Sequence, residues 1–182
     1  MGKMVRFAVY TNEEKTAQRV SAFLRAWAEE ICVELQLAME SGSPAALDAD
    51  GCALLLVDSA GLAQQDIACL QAVRAAYPDC GLVLLAEDDR TAIDVYQCHP
   101  NALVPKPVTY SGLDAALEES LPQPPFLRVQ KSFVVHLGAV RRVSGGELIM
   151  CNDRVISVAR GRLRQVQEAL AVYRRARGAE EG

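Results

Sequence analysis

The chain has 182 residues, of which 51% are apolar, 23% charged and 5% aromatic, and its formal net charge is −4. This composition fits one folded domain or two small ones and excludes disordered and collagen-like chains. Because no apolar stretch is long enough to span a membrane and the N-terminus does not resemble a secretion signal, we expect a cytoplasmic protein with no membrane partner.

Charge is distributed unevenly along the chain. Residues 1–121 carry 8 Lys and Arg against 18 Asp and Glu, a net charge of −10, whereas residues 122–182 carry 11 against 5, a net charge of +6. The six cysteines form no C-x-x-C pair and there are two histidines, so we expect reduced thiols and no metal cofactor. The sequence therefore predicts an acidic body followed by a basic segment.

Short apolar runs alternate with helical patterns over the first two-thirds of the chain. Three of the runs are nearly continuously hydrophobic, as parallel strands covered on both faces require. Strands are predicted at 5–10, 31–37, 53–57, 82–85 and 102–104, and helices at 14–28, 67–77 and 113–121. This alternation predicts an α/β fold, a doubly wound parallel five-stranded sheet.

A proline-rich segment, PQPP at 122–125, ends the third predicted helix and coincides with the change of charge sign. We predict a first domain over 1–121, a junction at 122–125, a small mainly β domain over 126–177 and a tail over 178–182. Within the second domain, strands are predicted at 132–137, 139–143, 147–151 and 154–158, turns at 144–146 and 152–153, and a helix at 160–176.

Polar residues follow the predicted strands of the first domain, where open α/β sheets gather their functional groups. Thr11, Asn12 and Glu13 follow the first strand, Asp58 the third, Ala86 the fourth, and Lys106 the fifth. An acid facing a lysine is thus expected at this edge of the sheet.

Residues 4–121 resemble the receiver domain of bacterial response regulators. Asp58, directly after the strand ALLLV, matches the phosphoacceptor aspartate of that family, and Lys106 in PKPV matches its conserved lysine. The resemblance implies a flavodoxin-like receiver fold, a cis peptide before Pro107, and a histidine kinase or another regulator as a partner.

The receiver pattern is incomplete where the family holds metal and phosphate. Thr11 and Asn12 replace the two acidic residues that would hold Mg²⁺ with the phosphoacceptor, and Ala86 replaces a hydroxyl residue. Since Mg²⁺ favours carboxylate oxygens, we expect no Mg²⁺ cofactor, although Glu13 could supply one carboxylate. The sequence favours a structural ion pair between Asp58 and Lys106 over phosphorylation of Asp58.

Two stretches of the basic segment resemble LytTR-type DNA-binding domains: FLRVQKSFVVHLGAVRRV at 126–143 and ISVARGRLRQV at 156–166. The resemblance implies DNA as a partner, and arginine side chains suit phosphates and guanine edges. The strands with which that family opens are absent. Lys131 and Arg160 are the foremost candidates among the predicted DNA-binding residues, which are Arg128, Lys131, Arg141, Arg142, Arg160 and Arg162.

Two functions fit these patterns. The favoured one is a phosphorylation-independent transcription regulator that binds DNA through its basic segment. The alternative is a protein-interaction module that binds no DNA and dimerises with or modulates an intact regulator. An enzyme is not expected, because nucleophile and phosphate-loop motifs are absent. The missing strands leave a sheet edge that a second copy could cover, so we expect a homodimer.

Overall fold

The computed structural model describes residues 3–87, 94–131 and 133–180. Two compact units make up this part of the chain. One contains Val5–Ala26 and Leu35–Pro122, and the other contains residues 3–4, Trp27–Glu34 and 123–180. The change from one unit to the other after Pro122 lies inside the predicted junction. No pattern in the sequence indicates that Trp27–Glu34 would be grouped with the C-terminal residues.

The first unit is built on a five-stranded parallel sheet. Its strands are β1 (Lys3–Tyr10), β2 (Val33–Glu40), β3 (Cys52–Asp58), β4 (Gly81–Ala86) and β5 (Ala102–Pro105), in the order β2-β1-β3-β4-β5. Its helices are α1 (Glu14–Glu30), α2 (Gln64–Ala76) and α3 (Tyr110–Ser120). This strand order is that of the flavodoxin-like folds, so the predicted fold class is confirmed.

The hydrophobic runs β3 and β4 occupy the centre of the sheet. Leu54, Leu56 and Leu84 are fully buried, as expected of strands covered on both faces. The parallel register pairs Asp58 with Leu85 and Ala86 with Pro105. The carboxyl ends of β3, β4 and β5 therefore lie at one edge, and the polar residues that follow these strands meet there.

The second unit is mainly β with a C-terminal helix. β6 (Phe126–Gln130) pairs antiparallel with β7 (Phe133–His136), and β8 (Val140–Ser144), β9 (Glu147–Met150) and β10 (Val155–Ser157) form a second antiparallel sheet. The turn between β8 and β9 contains Gly145 and Gly146, both with positive φ, as a tight two-residue hairpin turn requires. Helix α4 (Leu163–Glu180) packs Val166 and Leu170 into the core of this unit.

Three local predictions for the second unit differ from the structure. The sequence did not mark 126–130 as a strand, yet alternate residues of FLRVQ point into the core and the segment pairs with β7. Residues 160–162 form a 3₁₀ turn, and the helix spans Leu163–Glu180 instead of 160–176. Because a single glycine weakens a helix without ending it, residues 178–180 of the predicted tail are helical.

Residue 132 of the first predicted strand in this unit and residues 181–182 of the tail lie outside the described residues. None of the helices in the described part of the chain combines the length and apolarity needed to cross a bilayer.

Candidate functional site

Asp58 and Lys106 form a buried ion pair at the carboxyl edge of the parallel sheet. The Lys106 Nζ atom lies 3.1 Å from Oδ2 and 3.3 Å from Oδ1 of Asp58. The two side chains are 1% and 8% exposed, respectively. Thr11 donates its hydroxyl to Asp58 Oδ2 at 2.8 Å, and the Ala60 amide donates to Oδ1 at 3.1 Å. Both carboxylate oxygens of Asp58 therefore have partners within the protein.

Two further carboxylates approach Lys106. Its Nζ atom lies 2.6 Å from Glu13 Oε2 and 3.5 Å from Glu87 Oε1. Burial lowers the pKa of Lys106, but the hydrogen bonds to Glu13 and Asp58 outweigh it, so the pKa is raised overall. The hydrogen bonds from Lys106 and then Thr16 hold the pKa of Glu13 below its ordinary value. Lys106 is thus a cation that neutralises the carboxylates around it.

The two residues after β1 face different surroundings. The Thr11 hydroxyl accepts from the Glu13 amide at 3.1 Å while it donates to Asp58. Asn12 instead accepts from the Gly42 amide at 2.8 Å and donates to the Tyr10 hydroxyl at 3.2 Å. Asn12 therefore fixes the turn after β2 and does not join the Asp58 cluster.

The predicted backbone features around the pair are present. The Lys106–Pro107 peptide bond is cis, as the resemblance to receivers implies. The Lys106 amide donates to the Ala86 carbonyl oxygen at 2.8 Å. Ala86 is buried, and its side chain is a methyl group. As the sequence predicted, this position supplies no hydroxyl group.

Among the described residues at this edge, the carboxylates are already paired with a cation and do not fit a Mg²⁺ site. Asp58 and Glu13 both bind the Lys106 ammonium. This cation already neutralises the negative charge that a metal ion would otherwise neutralise. Thr11 and Asn12 offer neutral oxygens, and that of Asn12 is bonded to Gly42. Across the described residues, no group of three or more His, Cys, Asp or Glu side chains is arranged to hold a metal ion.

A surface cleft of about 850 Å³ opens beside this cluster. Glu13 and Lys106 contribute to its wall, together with Arg19 and Tyr110, but Asp58 does not. A molecule in the cleft would meet the Lys106 and Glu13 side chains before it reached the buried carboxylate of Asp58.

In the second unit, two basic segments lie side by side. The Ala159 amide donates to the Val129 carbonyl oxygen at 3.0 Å. Gln130 donates its side-chain amide to the Ser157 carbonyl oxygen, and Arg162 donates to the Arg128 carbonyl oxygen at 3.1 Å. These bonds place the turn after β6 beside the segment that leads into α4.

The predicted basic residues of these segments have two different environments. Arg128 and Arg162 are half-buried, and their guanidinium groups bind backbone carbonyl oxygens, including those of Gln130 and Lys131. Lys131 and Arg160 are exposed, and their side chains make no hydrogen bond or ion pair with any described residue. The first two cations therefore brace the backbone, and the second two are available to a ligand.

Arg141 and Arg142 lie on another strand, β8. Arg141 forms an ion pair with Asp153, and the Arg174 guanidinium binds the Arg141 and Val140 carbonyl oxygens. Arg142 is exposed, and its side chain has no polar partner in the described part of the chain. The structure does not place these two residues on the pair of segments that carries Lys131 and Arg160.

Comparison with known protein families finds a match in the C-terminal part of the chain. Residues 109–171 match the family described as LytTr DNA-binding domain. The chain thus combines a flavodoxin-like parallel sheet with a segment that matches the LytTR family. The LytTR match begins at Thr109, the residue that caps α3, so α3 belongs both to the five-stranded fold and to the matched family. No curated protein matches the sequence.

Solved structures resemble the part of the chain that precedes the basic segment. A pilus assembly-related protein from Burkholderia pseudomallei K96243 has 16% identity and a TM-score of 0.55 over 63% of this chain and 87% of its own. A pilus assembly protein from Burkholderia thailandensis E264 has 17% identity and a TM-score of 0.50 over 63% and 96%. These similarities concern the fold alone. A CheY-like response regulator from Mesorhizobium loti has 14% identity and a TM-score of 0.48 over 64% and 98%.

The structure thus brings some of the predicted receiver-site residues into contact with Asp58 or Lys106, but not all of them. Thr11 and Lys106 contact Asp58, Ala86 contributes a carbonyl oxygen to Lys106, and Asn12 points elsewhere. The sequence did not predict that Glu87 would contact Lys106 or that Arg128 and Arg162 would bind backbone carbonyl oxygens of the second unit. No motif in the sequence marks either feature.

Proposed function

We propose that the protein is a transcription regulator that binds DNA through its LytTR domain and does not depend on phosphorylation of Asp58. The observation that carries the DNA-binding half is the environment of Lys131 and Arg160. Both are exposed cations on adjacent, hydrogen-bonded segments within the region that matches a DNA-binding family. Cations of this kind neutralise phosphates and read base edges.

Arg128 and Arg162 act as positioning residues in this proposal. Their guanidinium groups bind the carbonyl oxygens of the segments that present the two exposed cations. Bracing of this kind reduces the conformational entropy that the loops would lose on binding a duplex. Arg142, exposed on β8, adds charge for phosphate contact, whereas Arg141 is already paired with Asp153.

Substitution of Lys131 or Arg160 by alanine should weaken DNA binding. It should also make the affinity for DNA depend less steeply on salt concentration. For each phosphate that the variant no longer neutralises, we expect the slope of log K against log salt to fall by about 0.9. The measurement is fluorescence anisotropy of the full chain with a labelled random-sequence duplex at a series of salt concentrations. Selection from a random duplex library then reports sequence preference.

Arg25→Ala is the matched control, because Arg25 is an exposed cation of the other unit and its side chain has no described polar partner. It should leave the slope unchanged. Binding that does not respond to salt, or equal behaviour of the Lys131, Arg160 and Arg25 variants, would contradict the DNA-binding proposal. That outcome would favour the interaction-module alternative.

The second half of the proposal rests on the state of Asp58. Its oxygens bind Lys106, Thr11 and the Ala60 amide, and its side chain is 1% exposed. A phosphoryl group would bring about −1.5 to −2 charge into this space, where Glu13 already competes for the ammonium of Lys106. The geometry supports a structural ion pair and no Mg²⁺ cofactor.

Incubation with Mg²⁺ and either a small phosphodonor or beryllofluoride should leave the protein without a stoichiometric adduct. Intact-protein mass spectrometry measures the phosphoryl adduct, and ¹⁹F NMR measures the beryllofluoride complex. Asp58→Asn should bind DNA as tightly as the wild type, with or without the phosphodonor. A stoichiometric adduct on Asp58 that changes DNA affinity would show that this half of the proposal is wrong.

The protein's partners are, on this proposal, DNA and a second copy of the chain, with a histidine kinase or another regulator as an input. No catalytic reaction is part of the function. Analytical ultracentrifugation of the full chain tests the homodimer independently of DNA binding.

A further inference from the structure

Arg154, the residue before β10, binds the last turn of α1, 124 positions earlier in the chain. Its guanidinium group donates to the Glu30 carbonyl oxygen at 3.0 Å and to the Glu30 carboxylate at 3.1 Å. Both residues belong to the second unit. Because two different guanidinium nitrogen atoms bind Glu30, the contact fixes the orientation of the Arg154 side chain as well as its position.

The same guanidinium group lies over the ring of Phe133, with 6.0 Å between the Cζ atom and the ring centroid. This distance is in the range of a cation–π contact. Phe133 is the first residue of β7 and packs against the core of the second unit. It pairs with Gln130, the last residue of β6, and Lys131 lies in the connection between them. Arg154 therefore contacts one end of the connection that presents an exposed cation.

The other end of this connection is held by hydrogen bonds. Arg128 donates to the Gln130 carbonyl oxygen at 3.2 Å, and the Gln130 side chain donates to the Ser157 carbonyl oxygen. Ser157 is the last residue of β10, the strand that Arg154 precedes. The Lys131 connection is thus braced at Gln130 by its neighbours in sequence and space, and at Phe133 by Arg154.

The last turn of α1 gives Arg154 a fixed anchor. Trp27 is buried one turn before Glu30, and its ring centroid lies 6.2 Å from that of Phe126, the first residue of β6. The Ile31 amide donates to the Trp27 carbonyl oxygen at 3.1 Å. Because this turn packs on β6, the two oxygen atoms that bind Arg154 are held in place relative to the β6–β7 pair.

We propose that Arg154 is a positioning residue for DNA binding. Anchored to Glu30, its guanidinium group holds Phe133 and so keeps Lys131 oriented toward a duplex. The proposal rests on the proposed DNA-binding function and adds to it a role for the end of α1, which lies outside the matched residues 109–171. The paired side chains of Arg154 and Glu30 are 43% and 47% exposed, so the pair contributes little to stability. Its effect is to reduce the conformational entropy that the connection loses on binding.

Glu30→Ala separates positioning from simple electrostatics, because the two predict changes of opposite sign. Loss of a negative charge would by itself strengthen binding to a polyanion, whereas loss of the anchor of Arg154 should weaken binding by about three- to tenfold. The measurement is fluorescence anisotropy of the full chain with a labelled random-sequence duplex at one salt concentration. Glu29→Ala is the matched control, since Glu29 is exposed and its side chain has no described polar partner. It should bind DNA at least as tightly as the wild type.

Arg154→Lys keeps the positive charge but not the planar guanidinium group that binds Glu30 and Phe133 together. We expect the same loss of about three- to tenfold, with an unchanged slope of log K against log salt. Arg154→Ala should also leave the slope unchanged. Wild-type affinity in Arg154→Lys, or a slope lower by about 0.9 in Arg154→Ala, would show that Arg154 contacts a phosphate directly and would overturn the proposal.

Amide hydrogen exchange of the free protein tests the same contact without DNA. In Glu30→Ala and Arg154→Lys, the peptide that contains Lys131 and Phe133 should exchange faster than in the wild type, and the peptides of α4 should not change. Unchanged exchange at Lys131, or faster exchange throughout the second unit, would overturn the proposal. Wild-type binding that does not respond to salt would contradict the proposed function instead, and the exchange measurement would still decide whether Arg154 positions Lys131.

Discussion

Replacement of Lys106 by methionine should lower the free energy of unfolding by about 3–5 kcal/mol. Methionine has a similar length and no charge, so the carboxylate of Asp58 stays buried without its cation. The Thr11 hydroxyl and the Ala60 amide remain as donors, but neither carries a charge to neutralise it. Urea unfolding followed by circular dichroism measures the loss.

Two further variants distinguish the effect on stability of losing the ion pair from the effect of losing a lysine side chain. Lys15→Met removes an exposed lysine of the same unit and should change stability by less than about 0.5 kcal/mol. Asp58→Asn combined with Lys106→Met should recover most of the loss, because the amide of asparagine needs no counter-charge. If the double variant is as unstable as Lys106→Met, the cost comes from lost packing of the lysine and the ion-pair argument is wrong.

The pH dependence of the wild type follows from the raised pKa of Lys106. A base whose pKa is higher in the folded state contributes a stability that is complete below its unfolded pKa, about 10.4 for lysine, and is lost as the pH rises above it. Urea unfolding at a series of alkaline pH values should therefore show a smaller loss of stability in Lys106→Met than in the wild type.

The parallel sheet could be predicted from the sequence because strands buried on both faces consist almost entirely of apolar residues. The run ALLLV is short and continuously apolar, which favours a strand buried on both faces, and the structure places it there as part of β3. Asp58 and Lys106 could be paired in advance because the carboxyl ends of all the parallel strands lie at the same edge of the sheet, although β4 separates β3 from β5. Neither inference required knowledge of a side-chain conformation.

The environment of individual polar side chains could not be predicted in the same way. Thr11 and Asn12 are adjacent in sequence, yet one contacts Asp58 and the other contacts Gly42, because successive residues of an extended chain point to opposite sides. A count of charges in the sequence likewise assigns Arg162 and Arg160 the same availability to a ligand. The structure shows one bound to a backbone carbonyl oxygen and the other exposed, so the net charge of +6 overstates what a ligand can reach.

His136 is expected to make the second unit sensitive to acid. Its side chain is 2% exposed and lies edge-on to Phe126 at 5.0 Å and to Tyr173 at 6.2 Å. Burial, with the charges of Lys3 and Arg177, lowers the pKa of His136 to about 4. The Nδ1 atom accepts a hydrogen bond from the Gly138 amide at 3.0 Å, which requires the unprotonated nitrogen.

In the folded unit, His136 therefore binds a proton less readily than it does in the unfolded chain, where its pKa has the ordinary histidine value of about 6.5. Between these two values the unfolded state holds more protons, so the free energy of unfolding falls as the pH falls. The loss begins near pH 6.5, reaches roughly 2–3 kcal/mol at pH 4.5, and levels off at roughly 3–4 kcal/mol well below pH 4. Above pH 6.5 this group has no effect on stability.

The variant His136→Asn tests this assignment because asparagine keeps an acceptor for the Gly138 amide but does not titrate. Urea unfolding at pH 7 and pH 4.5 should show a loss on acidification that is smaller by roughly 2–3 kcal/mol than in the wild type. The single tryptophan, Trp27, is buried in the same unit with its ring centroid 6.2 Å from that of Phe126, so its fluorescence follows the unfolding of this unit. The exposed His99 supplies the control, since His99→Asn should leave the acid response of Trp27 unchanged. Equal acid losses in the wild type and His136→Asn would assign the acid sensitivity of this unit to its carboxylates instead.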